Sequence, residues 1–95
     1  MMFRLHPIAE DELNQAADYY DDQQAGLGVE FVDEVYLTIQ RIIEFPKAWT
    51  SLSKRSRRCM TNRFPYQVIY EIREESILIL AIGHLHRKPG YWEDR

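Results

Sequence analysis

The fold is decided by residues 66–82, whose sequence is YQVIYEIREESILILAI. Apolar side chains recur at every second position from Tyr66 to Ile72, which is the period of a strand with one buried face. Residues 74–75 are both glutamate and predict a tight turn. The run Ile77–Ile82 is apolar at every position, as expected of a central strand covered on both faces. The stretch therefore predicts two antiparallel strands, the second of them in the middle of a sheet.

Shorter segments on either side extend this sheet. Arg57–Arg63 is predicted to form a further strand, and residues 62–65 have the composition of a turn. Residues 47–56 mix Lys, Ser and Thr and are predicted to form a loop. At the start of the chain, Phe3–Leu5 is a brief apolar stretch that Pro7 stops, so it predicts a short strand.

Two helices are predicted between the first strand and this sheet. Apolar residues follow the 3.6-residue period from Pro7 to Gln24 and again from Gly28 to Phe45. A short turn containing Gly26 separates them, so the helices should pack as an antiparallel hairpin. The predicted order is β-α-α-β-β-β in a single domain, residues 1–95. This is an α+β fold, an antiparallel sheet with a helical hairpin packed on one face.

Length and composition exclude several classes of protein. A chain of 95 residues with 45% hydrophobic and 28% charged residues is typical of one globular domain. Its one cysteine, Cys59, makes no internal disulfide, and no Cys/His cluster suggests a metal site. No cofactor fingerprint is present. No apolar run approaches the ~20 residues of a membrane span, and residues 1–7 lack the features of a signal peptide. We expect a cytoplasmic protein without cofactor, metal or membrane contact.

The charges are divided unevenly along the chain. Residues 1–46 carry ten acidic and two basic side chains, a balance of −8, whereas residues 47–95 carry ten basic and five acidic ones, a balance of +5. Such a separation predicts a surface for an anion or an acidic partner. The alternative is that the two halves attract each other within one fold. The acidic residues of the first helix are expected to form a solvated face.

A basic stretch stands at the start of the positive half. Five cations fall within ten residues: Lys54, Arg55, Arg57, Arg58 and Arg63. Together they predict a phosphate-attracting patch, and Trp49 and Tyr66 add aromatic surfaces on which bases stack. The alternative is an edge strand that charge protects from aggregation.

A second group follows Gly83, which is expected to end the central strand. It comprises His84, His86, Arg87, Lys88, Tyr91 and Trp92. Cleavage of RNA needs a base for the 2′-hydroxyl, a cation for the phosphorane charge and an acid for the leaving oxygen. These residue types supply all three roles. The alternative is that the histidines, Pro89 and Trp92 fasten the tail to the sheet.

Short motifs in a fixed order run through almost the whole chain. They are His6-Pro7-x-Ala9, Asp18-Tyr19-Tyr20, Leu27-Gly28-x-x-Phe31, Phe45-Pro46, Arg63-Phe64-Pro65-Tyr66-x-Val68-x-Tyr70 and Ala81-Ile82-x-His84-x-x-Arg87-x-Pro89-x-Tyr91-Trp92. In these motifs the chain resembles the RelE/ParE family of toxins from bacterial type II toxin–antitoxin systems, often labelled plasmid stabilisation proteins. The resemblance implies the same β-α-α-β-β-β fold. It also implies a small antitoxin as partner, with operator DNA contacted only through that antitoxin.

The family divides by target. RelE-like members cut mRNA in the ribosome with basic residues on the central strands and a tyrosine near the C-terminus, whereas ParE-like members inhibit DNA gyrase and lack that set. Here Arg58 falls at one catalytic lysine position and Tyr91 at the tyrosine. Met60, Gln67 and Leu85 fall where the endonuclease branch has Lys or Arg. The resemblance therefore favours a ParE-like growth inhibitor directed at gyrase.

Two alternatives remain open from the sequence. The first is a ribosome-dependent mRNA endonuclease, an enzyme in which His84, His86 and Arg87 provide a different catalytic solution. The second is a degenerate toxin that acts only as a binding partner.

The expected site follows from these readings. The candidate catalytic residues are Arg58, His84, His86, Arg87 and Tyr91, and the candidate target-binding residues are Lys54, Arg55, Arg57, Arg63 and Lys88. Antiparallel pairing can bring distant strand ends together, which would unite these residues in a single basic site. The antitoxin is expected to cover residues 54–63 and 84–88 with an acidic or amphipathic segment.

Overall fold

Five strands and two helices make up the computed structural model, which describes residues 1–95. They are β1 (Met2–Leu5), α1 (Pro7–Gln23), α2 (Leu27–Glu44), β2 (Thr50–Ser51), β3 (Ser56–Met60), β4 (Tyr66–Arg73) and β5 (Ser76–His84). Both helices agree with the predicted bounds to within one residue, because Gly26, with φ of 90°, and Pro46 interrupt the helical path. Neither helix combines the length and the apolar character that crossing a membrane requires.

The sheet is mixed rather than wholly antiparallel. Its strand order is β1-β5-β4-β3-β2, with β5 between β1 and β4. The pairs β5–β4, β4–β3 and β3–β2 are antiparallel, as expected of strands joined by short turns. The pair β1–β5 is parallel, because both helices and three strands separate them in the chain and no hairpin turn sets their direction. Strand β2 lies within the region predicted to be a loop.

Two strand ends differ from prediction. Strand β3 stops at Met60 because the Thr61 hydroxyl donates a hydrogen bond to the Phe64 carbonyl at 2.6 Å, which turns the chain before Arg63. Strand β5 continues through Gly83, which pairs with Gln67. A Cβ atom on Gly83 would lie 1.8 Å from the Tyr91 hydroxyl, so the glycine accommodates a side chain packed over the strand.

The helices cover one face of the sheet, which we call the helix face. Fourteen buried side chains form a single cluster there, and Phe31, Val35, Ile39 and Ile42 of α2 have no exposed surface. The two helices approach closely at Gly28, where a Cβ atom would lie 2.5 Å from the Ala17 carbonyl oxygen. The amphipathic hairpin therefore packs on the sheet as its period predicts.

Residues 85–95, called the tail, lie across the opposite face, called the tail face. Trp92 packs there in a cluster with Ile69, Leu78, Leu80 and Ala81. Leu80 and Ala81 share this face because the pairing shifts between Ile69 and Tyr70 and leaves Leu80 without a partner in β4. The prediction that Ile77–Ile82 is covered on both faces is confirmed.

Candidate functional site

The tail is fastened by the carboxylate of Glu12, which lies on α1 beside β5. Its Oε1 accepts hydrogen bonds from the Ile82 backbone N–H at 3.1 Å and from Arg95 Nη1 at 2.7 Å. Its Oε2 accepts from Arg87 Nη1 at 2.7 Å and from Arg95 Nη2 at 3.0 Å. Arg95 also donates to the Leu80 carbonyl at 2.8 Å. The tail is therefore tied to the sheet, and both of its arginines join Trp92 in holding it.

Glu12 does not belong to a solvated face, contrary to the expectation for the acidic residues of this helix. Its side chain is 12% exposed, because it lies between the apolar positions Ala9 and Ala16 on the buried side of α1. On the second helix, Glu34 is also buried, and its Oε2 accepts a hydrogen bond from the Asn62 N–H at 2.6 Å. Both carboxylates hold chain segments in place.

Tyr91 packs over Gly83 on the tail face, near the C-terminal end of β5. The Arg87 guanidinium carbon lies 3.7 Å from the centroid of its ring, and that of Arg95 lies 5.4 Å away. The Tyr91 hydroxyl is buried and has no hydrogen-bond partner. Burial and then the Glu12 charge raise its pKa, while Arg87 and Arg95 oppose the rise. The phenol therefore stays protonated at neutral pH.

Arg58 lies on the same face as Tyr91. It pairs across the ladder with Ile69, whose side chain belongs to the tail-face cluster, and paired residues share a face. Its Nη1 donates to Gln67 Oε1 at 3.4 Å, and Gln67 pairs with Gly83 beneath Tyr91. The register thus places Arg58, Gln67 and Tyr91 on one continuous surface.

The two histidines lie elsewhere. His84 pairs with Tyr66, and their rings are 5.4 Å apart. The His86 ring is 5.2 Å from His84, and the His86 N–H donates to His84 Nδ1 at 3.1 Å. Tyr66 packs against Phe31 of α2 on the helix face, so the histidines lie on that face, at the end of β5. The structure does not bring them together with Arg58 in a single basic site.

The basic stretch, residues 54–63, does not form one open patch, because two of its arginines are held by contacts within the protein. Arg57 donates to the Lys47 and Trp49 carbonyls at 3.1 and 2.8 Å and so holds the loop before β2. Arg63 forms an ion pair with Glu30 of α2 at 2.9 Å. The remaining predicted target-binding residues, Lys54, Arg55 and Lys88, are exposed and form no ion pair.

A groove runs along the tail face between the β2–β3 loop and the tail. It has a volume of about 470 Å³, and Trp92 lines it together with the charged residues Lys54, Arg55, Glu71, Arg73, Glu93 and Arg95. Cations outnumber carboxylates along it, so the groove favours an anionic ligand. No group of three His, Cys, Asp or Glu side chains converges in a geometry suited to a metal ion.

Glu12 and Arg95 are the site residues that the sequence prediction missed. The helical period held a signal for Glu12, since it lies three residues after Ala9 and four before Ala16 on the buried side. Arg95 carried no comparable signal, because its contact with Glu12 spans 83 positions of the chain.

The fold is one found in bacterial toxins. The structure is similar to a chain of the chromosomal ParDE TA system from P. aeruginosa, with a TM-score of 0.77 over 88% of this chain and 95% of that one, at 16% identity. It is also similar to the isolated E. coli RelE toxin, with a TM-score of 0.66 over 98% and 93% of the two chains, at 14% identity. At these identities the likeness defines the fold alone, and it confirms the predicted α+β class.

Sequence comparison then assigns the family. A model described as "ParE toxin of type II toxin-antitoxin system, parDE" matches residues 3–89. Toxin ParE2 of Mycobacterium tuberculosis, from strains CDC 1551 / Oshkosh and ATCC 25618 / H37Rv, is 37% identical over 91 residues, covering 92% of this chain and 84% of the relative. The chain belongs to the ParE toxin family of type II toxin–antitoxin systems, which confirms the RelE/ParE resemblance.

Proposed function

We propose that this toxin inhibits growth by binding a protein target, with DNA gyrase as the target class. The observation that carries the proposal is that Met60 and Gln67, which pair across β3 and β4 on the tail face beside Arg58, carry no charge. Met60 is 50% exposed and Gln67 is neutral, and Leu85, at the start of the tail, is 36% exposed. Cleavage of RNA develops negative charge that needs several cations at the reacting phosphate, whereas an exposed apolar side chain beside Arg58 suits a protein partner.

Two assays with purified toxin test the target. We expect the toxin to make gyrase accumulate cleaved plasmid and to leave a cell-free translation reaction unchanged. Met60→Glu should weaken the effect on gyrase without unfolding the protein, because the side chain is exposed. Asp11→Asn, on the exposed side of α1, is the matched control and should behave as the unaltered toxin. Blocked translation with cut mRNA, and no effect on gyrase, would contradict the proposal.

An mRNA endonuclease is the second candidate, and one observation favours it. Arg58 and the buried Tyr91 hydroxyl lie on the same face, which puts a cation and a hydroxyl proton donor on one surface. The histidines face the other side, so this candidate depends on Tyr91 rather than on His84 or His86. Inactivity in both assays would instead favour the degenerate, binding-only toxin.

We also propose that the antitoxin places an acidic segment in the tail-face groove. Lys54 and Arg55 support this, because both are exposed cations without an ion-pair partner. A stable interface of roughly 1,200–2,000 Å² would extend beyond the groove onto residues 84–88. Operator DNA would be contacted through the antitoxin, and the toxin would act in the cytoplasm, where its target resides.

The salt dependence of complex formation tests this interface. Raising the salt concentration should slow association, because screening weakens steering by opposite charges. The double variant Lys54→Ala/Arg55→Ala should associate more slowly at low salt than the unaltered toxin. Arg63→Ala is the control, since Arg63 already pairs with Glu30. Equal association rates at low and high salt would refute the electrostatic part of the proposal.

A further inference from the structure

The Glu12 carboxylate joins three parts of the chain that are distant in sequence. It lies on α1, accepts the Ile82 N–H of β5, and pairs with Arg87 and Arg95 of the tail. The same two arginines lie against the Tyr91 ring. We infer that Glu12 is a positioning residue for the candidate site, because it holds the tail so that Tyr91 stays over Gly83. This inference rests on the proposed function, which places the target-binding surface on the tail face.

The edge of β5 explains why a carboxylate is needed at this point. Strand β1 ends at Leu5, and the His6 N–H forms the last backbone bond on that side, to the Ile79 carbonyl at 2.8 Å. Beyond Ile79, no strand covers this edge. There the Leu80 carbonyl accepts from Arg95, and the Ile82 N–H donates to Glu12. The ion pair therefore takes the place of a neighbouring strand, and its Arg95 half does so only while the tail is docked.

Burial makes the docking depend on Glu12. The Arg95 side chain is 7% exposed and that of Glu12 is 12% exposed, so neither charge is well solvated. Without the carboxylate, Arg95 would be a buried cation without a counter-charge, and the tail would have to move to return it to water. Arg87 is 45% exposed and holds little by itself. Loss of the Glu12 charge on α1 should therefore release Tyr91. The effect would be indirect, because the groups that contact the Tyr91 ring are Arg87, Trp92 and Arg95, all of them in the tail.

The test labels the protein with 3-fluorotyrosine and follows the ¹⁹F signal of Tyr91, assigned with Tyr91→Phe. The principal variant is Glu12→Gln, which keeps the side-chain shape and an acceptor for Ile82 but removes the charge. We expect its Tyr91 signal to gain the solvent isotope shift of an exposed tyrosine. We also expect growth inhibition in expressing cells to fall at least tenfold. The neighbouring Asp11→Asn should change neither reading.

Two further variants separate positioning from stability. Ile39→Val removes a methyl group from the buried core on the helix face and should lower the melting temperature. It should leave the Tyr91 signal and growth inhibition unchanged. Glu12→Asp keeps the charge with a shorter reach and should retain part of both; it also provides the reading if Glu12→Gln fails to fold. The inference is overturned if folded Glu12→Gln keeps Tyr91 shielded, or exposes it with full toxicity. If that variant does not fold, full shielding together with full toxicity in Glu12→Asp overturns the inference. A failure of the unaltered toxin to act on gyrase would overturn the proposed function and leave the ¹⁹F result standing.

Discussion

On the helix face of the sheet, fourteen buried side chains form one cluster between the sheet and the two helices, whereas on the tail face four side chains of the sheet form a cluster with Trp92 of the tail. The helix face is held by apolar contact over a large area. The tail face depends on Trp92 and on one carboxylate that pairs with two arginines. The candidate site lies on the face with the smaller core, which is the face that a partner can remodel at lower cost.

The largest effect is expected on the helix face. Phe31 has no exposed surface and its ring lies 4.9 Å from Tyr66 and 5.1 Å from Phe64, so Phe31→Ala leaves a cavity among aromatic rings. We expect a loss of about 4 kcal/mol in the free energy of unfolding, measured by urea denaturation. A loss below about 1 kcal/mol would mean that this cluster is not the dominant core.

A smaller effect is expected for Trp92, which anchors the tail to the sheet. Trp92 is 8% exposed, and Trp92→Ala should cost about 3 kcal/mol, because the tail can relax into water and avoid part of the cavity. It should also lower growth inhibition, since the tail carries Tyr91. The check is urea denaturation together with a growth assay. A cost equal to that of Phe31→Ala would remove the distinction between the two faces.

High pH should weaken the helix face through Tyr70. Burial raises the pKa of its phenol to about 12, with Arg57 opposing the rise, and the hydroxyl donates to the Pro46 carbonyl. Between pH 10 and 12 the unfolded chain releases this proton while the folded chain keeps it, so stability is intact below pH 10 and falls as pH rises. The loss should be about 2–3 kcal/mol by pH 12.

The matched variant for this pH dependence is Tyr70→Phe. It should lower stability by about 1 kcal/mol at neutral pH, through the lost hydrogen bond, and should flatten the decline above pH 10. Urea denaturation at a series of pH values measures both. An equally steep alkaline decline in the variant would assign the effect to other tyrosines.

The smallest effect is expected for the ion pair that links the turn between β3 and β4 to α2. Arg63 and Glu30 are 57% and 47% exposed, so solvent screens their attraction. Arg63→Ala should change the free energy of unfolding by less than about 1 kcal/mol. A double-mutant cycle with Glu30→Ala isolates the pair. A coupling energy well above 1 kcal/mol would show that exposed charges support the helix face as well.

Periodicity determined most of the architecture from the sequence. The two helical segments and the strand pair in residues 66–82 follow from where apolar side chains recur, because each period matches one kind of buried surface. The short motifs, in their order along the chain, indicated the family. Local patterns did not reveal the parallel pairing of β1 with β5, since that pairing joins segments more than seventy positions apart.

The arrangement of the candidate site was decided by the tertiary structure. The sequence placed Arg58, the two histidines and Tyr91 in two basic groups, but the sheet puts Arg58 and Tyr91 on one face and turns the histidines toward the other. The physical reason is that strand register and the shift at Leu80 decide which face a side chain occupies, and both are properties of paired strands. Likewise, Glu12 was one acidic residue among ten in the first half of the chain until folding buried it beside Arg87 and Arg95.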